Sequence, residues 1–279
     1  MKNQMLTLFT IPKPFRDHFA DIQENAIRSW TRLGTGARVV LLGDDPGTGE
    51  LANRLRVEHL PNIRRNQYGT PLLDDAFRQA EESSTDPHLC YVNADILLGS
   101  DFLRAVKMIR QFKRRFLMVG QRTDFDQNGR IDFSDQSWES NLRKRVAKDG
   151  ALHRPTGIDY FVYQRGMWGT IPPFAIGRFS WDNWLIYRAL QLKISVVDAT
   201  SQVLAVHQNH DYSHARNGSK GARRGPESRE NFHLAGGLRK SFTIWDSTHV
   251  LVDSGLKPRT FDAALGGGIW SYRRNVVAR

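Results

Sequence analysis

The stretch Leu89-Cys90-Tyr91-Val92-Asn93-Ala94-Asp95-Ile96-Leu97-Leu98 decides how the rest of this chain is read. A short apolar run breaks at a small, polar, acidic tripeptide and then resumes. The pattern predicts a buried strand that delivers one carboxylate, Asp95, to the rim of a sheet. Ligands of open α/β sheets sit at the carboxyl ends of strands. A lone aspartate there suits a hard divalent cation, which in turn can carry a diphosphate. The alternative is a strand-to-turn aspartate that caps the next helix.

Outward from this strand, the pattern alternates. Residues 6–11 read as a first strand, stopped by Pro12 and Pro14. Residues 17–33 place Phe19, Ile22, Ala26, Ile27 and Trp30 at helical spacing, and Gly34 ends that helix. Residues 38–42 are a second strand, 49–56 a short helix, and 56–60 a third strand. Thr70 and Pro71 read as the N-cap and first position of a helix that runs to Ser83. After the Asp95 strand come a helix over 101–112 and a strand over 116–120. Residues 121–155 are polar and less regular. A turn and helix span 176–192, with short strands at 194–197 and 203–206. From His207 to about Gly237 the chain is rich in Gly, Ser, Asn, Arg and His, which reads as a long loop of the kind that often forms lids. Strands alternating with helices at this spacing predict a mostly parallel sheet covered on both faces.

Composition narrows the function classes. A chain of 279 residues can bury one large core or two small ones. It has no run of eighteen apolar residues, so no transmembrane helix is expected. The apolar stretch before Pro12 is too short for a signal-peptide core. The single cysteine, Cys90, lies in a predicted buried strand and cannot form an internal disulfide, so a reducing cytoplasm fits best. The net charge of +11 suits anionic partners such as nucleotides or lipid head groups, the latter by peripheral contact with a membrane surface. The basic residues are spread along the chain, and no zinc-finger, helix-turn-helix or RNA-binding signature accompanies them, so nucleic acid is not expected as a partner.

Residues 124–135 imitate an EF-hand loop. Asp124, Asp126 and Asn128 fill the first three ligand positions, Gly129 the sharp turn and Asp132 the ninth position. Asp135 stands where the longer, bidentate Glu belongs. The segment follows a predicted strand, not a helix, and has no second EF-hand to pair with. We therefore expect a turn-rich loop whose carboxylates cap and solubilise it.

Two further constellations point to a site. In Phe179-Ser180-Trp181-Asp182-Asn183-Trp184, an acid opens an amphipathic helix between two tryptophans. Burial there would raise the basicity of Asp182, and Trp181 and Trp184 can stack on a sugar ring. The alternative is an aspartate that stabilises the helix N-terminus, with both tryptophans in the core. In His207-Gln208-Asn209-His210-Asp211-Tyr212-Ser213-His214, three histidines follow the predicted strand directly. Neutral imidazole binds divalent metal, and the absence of accompanying cysteines argues against a structural zinc site.

Together these landmarks resemble the nucleotide-sugar-dependent glycosyltransferases of the GT-A fold, close to the family 2-like bacterial proteins. The resemblance covers about residues 5 to 215. Thr10-Ile11-Pro12 resembles the first strand end of that fold, and Gly43-Asp44-Asp45 the second, where an Asp commonly meets the nucleobase. Arg65-Asn66 resembles a segment near the nucleotide. Asn93-Ala94-Asp95 stands where the DxD metal motif belongs, with Asn93 in place of the first Asp. Trp181-Asp182-Asn183 resembles the acidic site that supplies the base in inverting members, and His207 matches a position that adds a metal ligand in some members.

The resemblance implies a GT-A domain over 1–235, a mostly parallel Rossmann-like sheet flanked by helices, with a C-terminal extension over 236–279 packed on it. It implies transfer of a sugar from a UDP- or GDP-sugar to a saccharide or other hydroxyl acceptor. Mn²⁺ or Mg²⁺ would be held by Asp95, His207 and His210, with Thr10, Pro12, Asp44, Asp45, Arg65, Asn66, Asn93 and Asp95 around the nucleotide. Asp182 is the expected base and Asp159 its rival or an acceptor ligand. Arg216, Lys220 and Arg223 would close over the phosphates. Direct displacement would invert the anomeric centre, and retention stays open. The competing reading is a non-catalytic nucleotide-sugar or glycan binding protein with a degenerate DxD motif.

Overall fold

The computed structural model describes residues 5–210 and 225–260. Its first element, β1 (Leu6–Thr10), is buried throughout. It is followed by α1 (Asp17–Thr31), β2 (Ala37–Leu42), α2 (Thr48–Leu55), β3 (Glu58–Leu60), α3 (Leu73–Ser83) and β4 (His88–Val92). Next come β5 (Ile96–Leu97), α4 (Ser100–Phe112), β6 (Phe116–Val119), β7 (Arg122–Phe125), α5 (Trp138–Asp149) and β8 (Ala151–Leu152). The described chain continues with β9 (Tyr160–Gln164), α6 (Trp181–Gln191), β10 (Ser195–Asp198), β11 (Ala205–Gln208), α7 (Pro226–Ala235), β12 (His249–Val252) and β13 (Gly255–Pro258).

These strands form two sheets. The larger has nine strands in the order β13-β12-β10-β6-β9-β4-β1-β2-β3, and the smaller four, in the order β5-β11-β7-β8. In the larger sheet β1 runs parallel to β2 and β4, β2 to β3, and β10 to β6 and β12. The sheet is mostly parallel, as expected, with one internal exception. β9 runs antiparallel between β4 and β6. Its start therefore lies beside the carboxyl end of β4, and this brings Asp159 to the rim where Asn93 and Asp95 emerge.

Apolar clusters cover both faces of the large sheet. On one, Phe9 meets the rings of Phe77 and Tyr91 edge-on at 5.2 and 5.6 Å. On the other, Trp30 and Ile27 of α1 pack with Phe102 and Val106 of α4 against Leu8 and Cys90. Each such fully buried aromatic or aliphatic side chain contributes roughly 1.5–3 kcal/mol of transfer free energy. Trp30 also anchors the entry to the small sheet, because its indole N–H donates to the Ile96 carbonyl at 2.8 Å.

Several local expectations are corrected. The helix read from Thr70 begins at Leu73, and Thr70 does not cap it. Pro71 and Leu72 are extended because they bridge to Arg65 and Ala175, and the first helical amide, that of Leu73, donates instead to the Phe174 carbonyl at 2.9 Å. The strand read as ending at Val206 runs to Gln208, so His207 lies within β11. The polar stretch 121–155 holds β7, α5 and β8, and α7 occupies part of the stretch read as a loop. Asp211, Tyr212, Ser213, His214, Arg216, Lys220 and Arg223 lie outside the described residues, as does 261–279 of the C-terminal segment. Within 236–260, β12 and β13 extend the large sheet, and the Phe242 carbonyl accepts from the Asn183 side chain at 2.6 Å.

Candidate active site

The site forms where the carboxyl end of β4 meets the small sheet. Beyond Val92, the Asn93 amide donates to the Asp159 carbonyl at 2.9 Å, and its side-chain amide donates to Asp159 Oδ1 at 2.6 Å. Arg122 Nη1 donates to both Asp159 oxygens, at 3.2 and 3.1 Å. Asp159 is thus pinned by two side chains, Asn93 just past β4 and Arg122 of β7.

Asp95 stands at the mouth of the small sheet, just before β5. His207 of β11 pairs in register with Ile96, and the Gln208 amide donates to the Asp95 carbonyl at 3.2 Å. The pairing brings the end of β11 alongside Asp95. His210 Nε2 lies 3.1 Å and His207 Nε2 3.9 Å from Asp95 Oδ2. One ligand atom from each of Asp95, His207 and His210 falls within 4.8 Å of the others, the one such group among the described residues. Burial pushes the Asp95 carboxyl up. The His210 hydrogen bond and the neighbouring His207, Lys13 and His210 charges outweigh that and hold it well below the usual carboxylate range. Its Oδ1 is buried and accepts no hydrogen bond among the described residues.

Asp182 enters from the other side, in the first turn of α6. Ser180, just before that helix, has φ +90°, a left-handed conformation rare for a residue with a Cβ, and its buried hydroxyl has no partner among the described residues. Strained backbone of this kind persists only where its surroundings over-determine it. Here it turns the chain sharply, so that Trp181 and Asp182 face the cleft. Burial raises the Asp182 carboxyl to about 7, against two backbone hydrogen bonds and the Arg122 charge, with the Asp159 charge adding to the rise.

Between these groups lies a cleft of about 440 Å³. Of the residues read as nucleotide-binding, Pro12, Asp45, Arg65, Asn93 and Asp95 line it, together with Asp159, Trp181, Asp182, His207 and His210. Arg65 bridges Asp44 and Asp45 at 2.9 Å each and fixes the nearby turn by donating to the Gly69 carbonyl at 2.9 Å.

Four sequence-predicted residues do not line the cleft. Thr10 is fully buried. Asp44 is largely exposed and faces a neighbouring hollow of paired arginines and aspartates. Asn66 ties the turn to α7 through Glu227 at 2.8 Å. Trp184 is in the core, against Phe174 at 5.3 Å, because two positions along the helix turn it away from Asp182.

The sequence reading missed Arg122, Lys13 and Arg178, all in the cleft wall. Arg122 sits in Arg122-Thr123-Asp124-Phe125, whose charged residues alternate with others as strand positions do, and that alternation was the available signal.

The EF-hand-like carboxylates do not converge. Asp132 accepts from Ser134, Asp135 from the Ser137 amide, and Asp126 from Asn209. Asp124 contacts His153, Arg122 and His207 at 2.6, 2.9 and 3.2 Å. Burial pushes the Asp124 carboxyl up, but His153 and Arg122 more than offset it and lower it.

No protein-family profile and no curated protein sequence matches the chain. Solved structures do. Glucosyl-3-phosphoglycerate synthase from Mycobacterium tuberculosis, solved with Mn²⁺, UDP and glucosyl-3-phosphoglycerate, is 13% identical with a TM-score of 0.50, over 84% of this chain and 81% of that one. S. aureus TarS is 10% identical with a TM-score of 0.50, over 74% of this chain. The match spans only 37% of the TarS chain. The likeness shows the fold: this chain folds as a GT-A domain.

Proposed function

We propose that the protein is a metal-assisted glycosyltransferase that moves a sugar from a UDP- or GDP-sugar to a hydroxyl acceptor. One observation carries this reading: the Asp95, His207, His210 group and the Asp182 carboxyl face each other across a single cleft at the strand ends. The GT-A neighbour from Mycobacterium tuberculosis was solved with Mn²⁺ and UDP.

The residues present fit a divalent ion. Asp95 offers a buried oxygen with no hydrogen-bond partner among the described residues, and two imidazoles complete the set. Two nitrogen ligands favour Mn²⁺ over Mg²⁺. When bound, the ion supplies positive charge against the diphosphate of the leaving group.

The chain's own groups do the rest. Arg65 holds Asp45 at the nucleoside end of the cleft, where Asp45 can accept from a base or ribose N–H or O–H. Lys13 adds positive charge near Asp95. Trp181 offers an apolar wall for a sugar ring and excludes water. Asp182 takes the acceptor's hydroxyl proton as the acceptor oxygen bonds to the anomeric carbon and the bond from that carbon to the diphosphate oxygen breaks. Asp159, its carboxylate already engaged by Arg122 and Asn93, orients a substrate hydroxyl. The buried Cys90 supports a reducing, cytoplasmic setting. No described helix is long and apolar enough to cross a membrane.

The test is calorimetric titration of UDP and GDP with and without Mn²⁺, followed by turnover with a panel of donor sugars and acceptors. Asp95→Ala should sharply weaken metal-dependent nucleotide binding and leave the circular dichroism spectrum unchanged. Identical titrations for the variant and the wild type would sink the reading. Nucleotide-sugar binding without turnover across the panel would favour the non-catalytic binding protein.

A further inference from the structure

We propose that the calcium-loop-like segment serves the metal centre from behind: Asp124 directly, and Asp126 through Asn209, orient the His207 imidazole so that its Nε2 faces Asp95. This inference rests on the metal reading above.

Sheet register makes the arrangement possible. β11 lies between β5 and β7, with His207 opposite Ile96 on one side and opposite Asp124 on the other. Asp95 directly precedes Ile96, so the His207 ring has Asp95 Oδ2 3.9 Å from its Nε2 and Asp124 Oδ1 3.2 Å from its Nδ1. Asn209 Oδ1 is 3.4 Å from the same nitrogen. Asn209 could present either end of its amide, and Asp126 decides which. The Asn209 side-chain N–H donates to Asp126 Oδ1 at 2.8 Å, so its oxygen is the end left toward His207.

Nδ1 has a hydrogen-bond acceptor in Asn209 Oδ1 and the Asp124 carboxylate at 3.2 Å, whereas Nε2 is 3.9 Å from Asp95, which assigns the proton of the neutral imidazole to Nδ1. Nε2 is then a lone pair aimed at Asp95 Oδ2, 3.9 Å away. A histidine ligand oriented this way by an outer carboxylate holds its tautomer and ring plane before the ion arrives, and loss of such a partner typically costs 10- to 100-fold in metal affinity. Asp124 is itself braced by Arg122 Nε at 2.9 Å and His153 Nδ1 at 2.6 Å. The acidic spacing that imitates a calcium loop is thus accounted for without calcium. Its first position reaches His207 of β11, its third Asn209 just past that strand, and its ninth, Asp132, only closes a local turn on Ser134.

The experiment has two arms on the full chain. The first is Mn²⁺ affinity by calorimetry, with free Mn²⁺ checked by electron paramagnetic resonance. Asp124→Asn should weaken Mn²⁺ by roughly 10- to 100-fold. Asp126→Ala, at an exposed position, should weaken it by less and in the same direction, and it keeps the test alive if Asp124→Asn does not fold. Asp132→Ala should leave it unchanged.

The second arm reads the His207 tautomer in metal-free, ¹⁵N-histidine-labelled protein at alkaline pH, assigned by difference from His207→Gln. The wild type should carry the proton on Nδ1. A wild type that binds Mn²⁺, with Asp124→Asn and Asp126→Ala both within twofold of it, overturns this inference alone. A proton on Nε2 also overturns it, whatever the Mn²⁺ result. A wild type that binds no Mn²⁺ overturns the metal reading and this inference with it.

Discussion

On the nine-stranded sheet, neighbouring strands present Leu8, Phe9, Cys90, Tyr91, Phe161 and Val162, each nearly or wholly sealed from water. On the four-stranded sheet, the strands present Arg122, Asp124, His207 and Gln208, and apart from Ile96 and Ala205, which join the large core, a small cluster of Leu97, Phe125, Leu142, Val146 and Val206 backs them. The first sheet is held by non-directional apolar burial, which tolerates small adjustments. The second is held by charged and amide contacts with fixed directions. Stability and positioning are thus divided between two parts of one fold, and the chemistry lies where they meet.

The contrast can be broken most directly in the cores. Phe9→Ala should cost about 3–5 kcal/mol of folding free energy, and Leu142→Ala, which faces the small cluster, about 2 kcal/mol. Urea unfolding of both variants measures this. Equal losses would mean that the small sheet depends on its apolar backing as much as the large one.

Asp182 tests the junction itself. Asp182→Asn should lower turnover by about a hundredfold or more with donor binding retained. Because burial raises the Asp182 carboxyl to about 7, wild-type turnover should climb as pH rises through that value and then level off. The same group acts on stability with a defined sign. The folded carboxyl holds its proton to about 7 and the unfolded one only to about 3.8, so the folded state loses stability as pH rises between those values. Asp182→Asn should therefore raise the melting temperature relative to wild type at pH 8 and do so much less at pH 4. A pH-independent difference would show that the carboxyl is not desolvated as described.

A smaller effect is expected at Ser180. Glycine adopts its φ of +90° without strain, so Ser180→Gly should stabilise the fold by about 1 kcal/mol while loosening Asp182 and lowering turnover severalfold. Unchanged stability with unchanged turnover would remove Ser180 from the argument. The smallest effect is a null one. The 124–135 segment should bind no Ca²⁺ in the micromolar range of EF-hand sensors. Tight calorimetric binding abolished by Asp126→Ala would prove the opposite.

The sequence made the large sheet far more legible than the small one, and the reason is physical. β1, β2, β4 and β6 are mostly apolar and largely buried, and α1 and α4 have strong helical periodicity, so burial wrote both into the sequence. α5 buries only Leu142 and Val146, too few to set a period. β7 hides inside an acidic pattern that imitates another motif. β9 was not read as a strand, and its direction depends on neighbours far away in sequence.

At the site, Asp95, His207, His210, Asp159 and Asp182 were all read as candidates, and the fold brings them to one cleft. Adjacency to Asp182 suggests the cleft for Trp184, but two positions along a helix point the opposite way, and it lies in the core. Arg122 and His153 were missed because their partners are set by sheet register, which short-range patterns do not encode.

Asn93 donates to Asp159 at 2.6 Å while Arg122 grips the same carboxylate. An aspartate at position 93 would set two like charges against each other there. Placing the acidic motif's first carboxylate at position 93 would thus exchange a hydrogen bond for repulsion, which Arg122 alone would have to offset. Positions 93, 122 and 159 are therefore one electrostatic unit, in which a change of charge at one position alters the cost of charge at the other two.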